Sequence, residues 1–163
     1  MRLGIGYDIH RLIPTIKRES IFLGGIAIPC YYRIQAHSDG DVLLHALTDA
    51  CLGALALGDI GQWFSDTDPK NSGRSSTEFL KIVLQEIHKY GYQVKQVDSN
   101  VFLEEPKLAP HHDEIRQNMA KVLEIELTQI SLKAKTMEGL GPVGERKAIS
   151  AQVIVQLQEL ADK

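Results

Sequence analysis

Asp8 and His10 stand two residues apart near the start of the chain, and His45 lies on what reads as its first helix. A carboxylate and two imidazoles have the ligand hardness that a divalent, zinc-like metal takes. On an extended segment, residues two apart point to the same side, because side chains alternate across a strand. Asp8 and His10 can therefore serve one ion together. Three protein ligands leave a tetrahedral metal one open position, as in catalytic rather than structural sites. A D-x-H spacing alone is common, so that reading leans on the rest of the chain.

Further chemistry-bearing residues cluster in three places. Ala36-His37-Ser38-Asp39-Gly40-Asp41 leads into the His45 helix. Ser38 suits an N-cap with Asp41 three residues on. Capping alone leaves His37 unexplained. It also leaves Asp41, His45 and Asp49 as a polar i, i+4, i+8 stripe, costly to bury unless partnered. A carboxylate one turn from His45 can fix its tautomer, although a satisfied core histidine is the competing view. Next, Asp59-Ile60-Gly61 and Phe64 to Pro69 hold Asp59, Asp66 and Asp68. Turn formation explains Asp and Gly there, and such acids also suit the hydroxyls of a polyol. Finally, Lys133 to Gly141 ends a strand with lysines, a hydroxyl and glycines. That is either a solvated strand end or a phosphate site.

The elements that must position these residues follow from periodicity. Leu3 to His10 reads as a strand with a close-packed glycine pair, Gly4 and Gly6. Ile21–Leu23 and Ile26–Ile28 flank Gly24-Gly25 as a hairpin. Residues 39–57 form an almost wholly apolar helix, capped by Gly58. A long loop covers 59–73. Amphipathic helices span 77–90 and 110–123, and strands span 92–104, 130–136 and 147–160. The expected fold is α+β, an α/β sandwich over a single domain, 1–163. Its mixed four-stranded sheet carries helices on one face, of ferredoxin-like type, plus a small hairpin.

The chain has 163 residues, 44% of them hydrophobic and 24% charged, with a formal net charge of -3. That balance gives no global attraction to nucleic acid or an anionic membrane, so a phosphate ligand needs a local positive site. The N-terminus reads as neither signal nor transit peptide, and no window approaches the roughly 18 apolar residues of a membrane span. Only Cys30 and Cys51 occur. Nothing suggests a disulfide framework, and a cytoplasmic location is expected.

Taken together, GYDIHRL, AHSDGDVLLHALTDACLGALALGDIG, FSDTDP and KAKTMEGLG resemble the 2-C-methyl-D-erythritol 2,4-cyclodiphosphate synthase family over the whole domain. The resemblance implies a lyase of the non-mevalonate isoprenoid route. It would convert 4-diphosphocytidyl-2-C-methyl-D-erythritol 2-phosphate to the cyclic diphosphate and release CMP. Asp8, His10 and His45 match the zinc ligands, and a second cation, magnesium or manganese, would bridge the diphosphate. His37 and Thr136 match the catalytic pair that stabilises the transition state. Asp8, His10, His37 and Ser38 would also meet substrate, and Asp59, Ile60 and Gly61 would meet the methylerythritol hydroxyls. Phe64, Asp66 and Asp68 belong to a closing loop. Leu103, Lys107, Leu108 and Ala109 match the cytidine pocket, with Lys135, Thr136 and Glu138 at the phosphates. The resemblance further implies a homotrimer with active sites between subunits.

The chain departs from many bacterial members at Lys135, where they have a smaller residue, and at Pro142 and Glu145. Arg146 is a candidate to supply the charge missing at Glu145. Two rivals stand beside the synthase: a phosphohydrolase using metal-bound water, and a trimeric nucleotide-binding module without catalysis.

Overall fold

A computed structural model describes residues 1–65 and 67–160. Its strands are β1 (Arg2–Leu23), β2 (Ile26–Gln35), β3 (Tyr92–Phe102), β4 (Ile130–Lys135) and β5 (Ala148–Glu159). Its helices are α1 (Val42–Ala54), α2 (Ile60–Trp63), α3 (Ser76–Lys89), α4 (His112–Leu123) and α5 (Gly141–Gly144). Among the described residues the sheet has five strands, ordered β2-β1-β5-β3-β4. Of the strand pairings among these residues, only that of β3 with β4 is parallel.

The α+β class holds, whereas the four-stranded ferredoxin-like sheet with a separate small hairpin is corrected. The hairpin is part of the sheet, because β1 runs on to Leu23 and pairs with both β2 and β5. Lys17 to Ser20 looks like a solvated break in the sequence. Yet Leu12, Ile21, Leu23, Ile28 and Cys30 are buried on either side of it, and the register shift falls between Pro14 and Glu19. A bulge absorbs the polar residues without ending the strand.

The core lies between one sheet face and the helices, with α1 nearly buried from Val42 to Ala54. Among the glycines, those of β1 make the closest approach, to α1. A Cβ built on Gly4 would meet the Ala50 carbonyl oxygen at 1.9 Å, and one on Gly6 would meet that of Ala46 at 1.9 Å. The opposite face carries Leu3 (61% exposed), Ile5 (62%), Tyr7 (54%) and Ile9 (44%) along β1, with Ile154 (47%) beside them on β5. No helix among the described residues is long and apolar enough to cross a membrane.

Asp41, rather than Ser38, is the N-cap of α1. Its buried carboxylate accepts N–H bonds from Leu44 (3.0 Å), Gly24 (3.0 Å) and Gly25 (2.6 Å). One side chain thus ends the helix and satisfies the β1–β2 turn, where Gly24 and Gly25 both have positive φ. Asp41→Ala should cost about 3–5 kcal/mol, a lost cap plus the buried Gly24 and half-buried Gly25 N–H groups left without an acceptor. Urea denaturation measures this, and Asp41→Asn should fall between the two.

Candidate metal and substrate site

Asp8 and His10 leave β1 on the side facing α1, and the glycine contacts bring that strand against the turn bearing His45. Asp8 Oδ2 lies 3.1 Å from His10 Nε2 and 3.0 Å from His45 Nδ1, and those two nitrogens are 3.1 Å apart. Three donor atoms therefore form a nearly equilateral triangle. A tetrahedral zinc with bonds near 2.0–2.1 Å has ligand atoms about 3.3 Å apart, so the donor set fits such an ion in chemistry and in size. Asp8 Oδ1 accepts the Ile9 N–H at 2.9 Å, which fixes the carboxylate and leaves Oδ2 for the triangle. Burial would raise the Asp8 pKa, but hydrogen bonds and charge from His10 and His45 outweigh it and hold the carboxyl well below its usual range.

The far side of His45 is also occupied. Its Nε2 lies 2.8 Å from Ser76 Oγ and 3.1 Å from Ser38 Oγ, while the Ser76 hydroxyl donates to Asp39. The carboxylate support expected from one turn along α1 is corrected. Asp41 is engaged by backbone N–H groups, and Asp49 accepts the Ile60 N–H at 2.7 Å, holding the start of α2. Ser76 was missed by sequence reasoning. Its only signal was its place in the Ser75-Ser76-Thr77-Glu78 helix start.

A cleft of 290 Å³ opens over the triangle, lined among others by His37, Ser38, Ile60, Gly61 and Phe64. Gln35, Asn71 and Phe79 also line it and were not foreseen. Phe64 stacks on Phe79 with ring centroids 4.4 Å apart, forming an apolar wall. Asp59 stands outside the lining and caps α2, accepting from Gln62 N at 2.9 Å and Gln62 Nε2 at 2.6 Å. Asp68 likewise caps the turn Pro69–Asn71. Asp66 falls outside the described residues.

The remaining expected residues form a second cluster at the ends of β3 and β4. Leu103 N donates to Lys135 O at 2.9 Å, and Met137 N donates to Glu104 Oε1 at 2.7 Å. The Thr136 hydroxyl donates to Glu138. Leu103 and Leu108 are buried in the core, so this loop offers its backbone, while Lys107, Ala109 and Lys135 are exposed. Arg146 pairs with Glu105 at 3.2 Å, and Glu145 with Lys147 at 2.6 Å. Arg146, the candidate for the charge absent at Glu145, is thereby linked to the 104–107 turn.

The two clusters share one end of the sheet but do not meet. Ile9, Ser150, Phe102 and Lys135 stand side by side across four strands, which separates β1 from β4 there by about 14 Å. No residue of the second cluster lines the cleft over the triangle.

The model of the YgbB family matches residues 1–158. The 2-C-methyl-D-erythritol 2,4-cyclodiphosphate synthase of Syntrophomonas wolfei is 48% identical over 159 residues, 98% of this chain and 99% of its own length. That of Clostridium perfringens is 46% identical over 157 residues, 96% of this chain and 99% of its own. Among solved structures, IspF of Plasmodium falciparum in its CDP complex superposes with a TM-score of 0.85 at 38% identity. That match covers 98% of this chain and 96% of the other.

Proposed function

The chain belongs to the YgbB family, that of the 2-C-methyl-D-erythritol 2,4-cyclodiphosphate synthases, and from that premise we propose how its residues perform the family reaction. The enzyme is a phosphorus–oxygen lyase of isoprenoid precursor synthesis. The 2-phosphate oxygen of 4-diphosphocytidyl-2-C-methyl-D-erythritol 2-phosphate attacks the β-phosphorus of the same molecule. The bond from that phosphorus to the anhydride oxygen breaks, and CMP leaves with that oxygen. The observation that carries the reading is the donor triangle of Asp8, His10 and His45 at the floor of a cleft.

Such a transfer asks little covalent chemistry of the protein. It needs the two phosphates in line and their charge neutralised. Asp8, His10 and His45 would hold zinc, which when bound supplies a Lewis acid for the β-phosphate, a second cation (magnesium or manganese) balancing the diphosphate charge. His37, on the cleft wall, donates a ring N–H to a phosphate oxygen. Thr136 does the same from the opposite side, turning its hydroxyl from Glu138 to substrate. Ser38, Ile60 and Gly61 orient the methylerythritol part, and Asp59 accepts from its hydroxyls on giving up Gln62. Phe64 on Phe79 keeps water from the reacting phosphorus.

Leu103 and Leu108, anchored in the core, hold the 103–109 backbone rigid for the cytosine edge. Lys107 and Lys135 bring positive charge to an otherwise acidic chain. With β4 some 14 Å from β1 in one chain, we assign the two clusters to opposite sides of a subunit boundary in a homotrimer. The apolar stripe of Leu3, Ile5, Tyr7, Ile9 and Ile154 supports that assembly as a surface to be covered. Two free thiols, Cys30 and Cys51, accord with the cytoplasm.

The decisive assay supplies the CDP-linked substrate with magnesium and follows CMP. Release of CMP with a cyclic product is expected, with loss of activity in a zinc chelator and recovery on adding zinc. A linear product carrying solvent oxygen would indicate hydrolysis, and folded, metal-loaded protein releasing no CMP would overturn the assignment.

A further inference from the structure

We propose that Ser76 and Asp39 are positioning residues that fix which nitrogen of His45 faces the metal, and thereby set the affinity of the site. The proposal rests on His45 being a metal ligand and goes beyond it to two residues outside the donor triangle. Ser76 opens α3 and is fully buried, while Asp39 lies in the loop before α1. The Asp39 carboxylate is wrapped by donors. Ser76 N–H reaches Oδ2 at 3.0 Å, Asp41 N–H reaches Oδ1 at 3.2 Å, and the Ser76 hydroxyl also donates to Oδ1.

A serine hydroxyl has one proton. With that proton on Asp39, Ser76 Oγ can only accept from His45 Nε2, 2.8 Å away. Nε2 must then be an N–H. In the neutral ring the lone pair falls on Nδ1, the atom that completes the triangle with Asp8 Oδ2 and His10 Nε2. Carboxylate, hydroxyl, imidazole and metal thus form one chain, a longer version of the carboxylate–histidine–zinc arrangement. Backbone bonds hold the relay in place: Asp39 N donates to Arg74 O at 3.1 Å, and Gly73 N to His37 O at 2.7 Å. The same pairing joins the loop that carries His37 to the start of α3.

Ser76→Ala isolates the hydroxyl, because its backbone N–H to Asp39 remains. Zinc affinity of the full chain, measured by competition with a chromophoric chelator, should weaken by about 10–100-fold. The melting temperature of the metal-free protein should stay near that of wild type. Asp39→Asn should weaken zinc in the same direction. In the zinc-loaded wild type, ¹H–¹⁵N spectra should show a protected His45 Nε2–H, and Ser76→Ala should lose its protection. Equal zinc affinity in wild type and Ser76→Ala would overturn the relay, even if Ser38 Oγ then served His45. Binding of zinc through His45 Nε2 would overturn it too. A wild-type chain that takes up no zinc would instead remove the metal-site assignment on which the relay stands.

Discussion

Asp8→Ala is expected to lower CMP release by at least about 10³-fold, since a Lewis acid at a phosphoryl group is worth several kcal/mol. The chain should still fold, because Asp8 contributes to neither the core nor the glycine contacts of β1 with α1. Zinc content should fall with activity, since two imidazoles hold the ion poorly. Unchanged zinc content and rate in the variant would contradict the ligand assignment.

A second, metal-free signature follows from the low Asp8 pKa. Burial would raise its folded value, but hydrogen bonds and charge from His10 and His45 bring it below the unfolded one. In the metal-free protein His45, its pKa raised by Asp8 against burial, carries on Nδ1 the proton that a metal would displace. A depressed carboxyl stabilises the fold at pH above its unfolded value of about 3.9 and loses that contribution as pH falls through the folded value. The difference in denaturation free energy between metal-free wild type and Asp8→Ala should therefore be full at neutral pH. It should shrink on acidification below about pH 4. A gap independent of pH would mean that the carboxylate is not held by the two histidines.

How much of this was legible in the sequence depends on which force acts. The donor pair Asp8 and His10 was visible because strand alternation is a local rule. The buried helix around His45 was visible because its apolar run is nearly unbroken. The close approach of Gly4 and Gly6 was visible as two small residues in one strand. What stayed hidden depends on partners distant in the chain. Asp41 looks like the second residue of a capping box until the turn at Gly24-Gly25 folds back onto it. Ser76 looks like a helix-start serine until α3 places it beside His45. The continuation of β1 past Pro14 was hidden by its polar residues, since a bulge leaves no pattern in one strand alone. The resemblance already divided the site residues between neighbouring subunits, but how far apart the two groups lie within one chain was not legible. The register across β1, β5, β3 and β4 supplies that spacing.

Gly6→Ala tests the link on which the site geometry depends. A Cβ there would stand 1.9 Å from the Ala46 carbonyl oxygen and 2.8 Å from Ala50 N, all backbone with no side chain to swing away. Either β1 or α1 must move, and overpacking that cannot be relieved by a rotamer costs about 3 kcal/mol or more. For a chain of this size that lowers the melting temperature by roughly 6–12 °C. The same shift separates Asp8 and His10 from His45, so zinc affinity should fall although no ligand has been changed. Gly53→Ala is the matched comparison in α1. Its Cβ would find only Ile5 O at 3.9 Å, an ordinary contact, in a helical position. Removing a helix glycine there should stabilise the protein by up to about 1 kcal/mol and leave the metal bound as before. Opposite signs from the same substitution in the strand and in the helix it packs against would show that contact distance, not glycine content, holds the donor triangle together. Equal, small effects at both positions would mean that the strand and helix tolerate separation and that the triangle is held by its own hydrogen bonds.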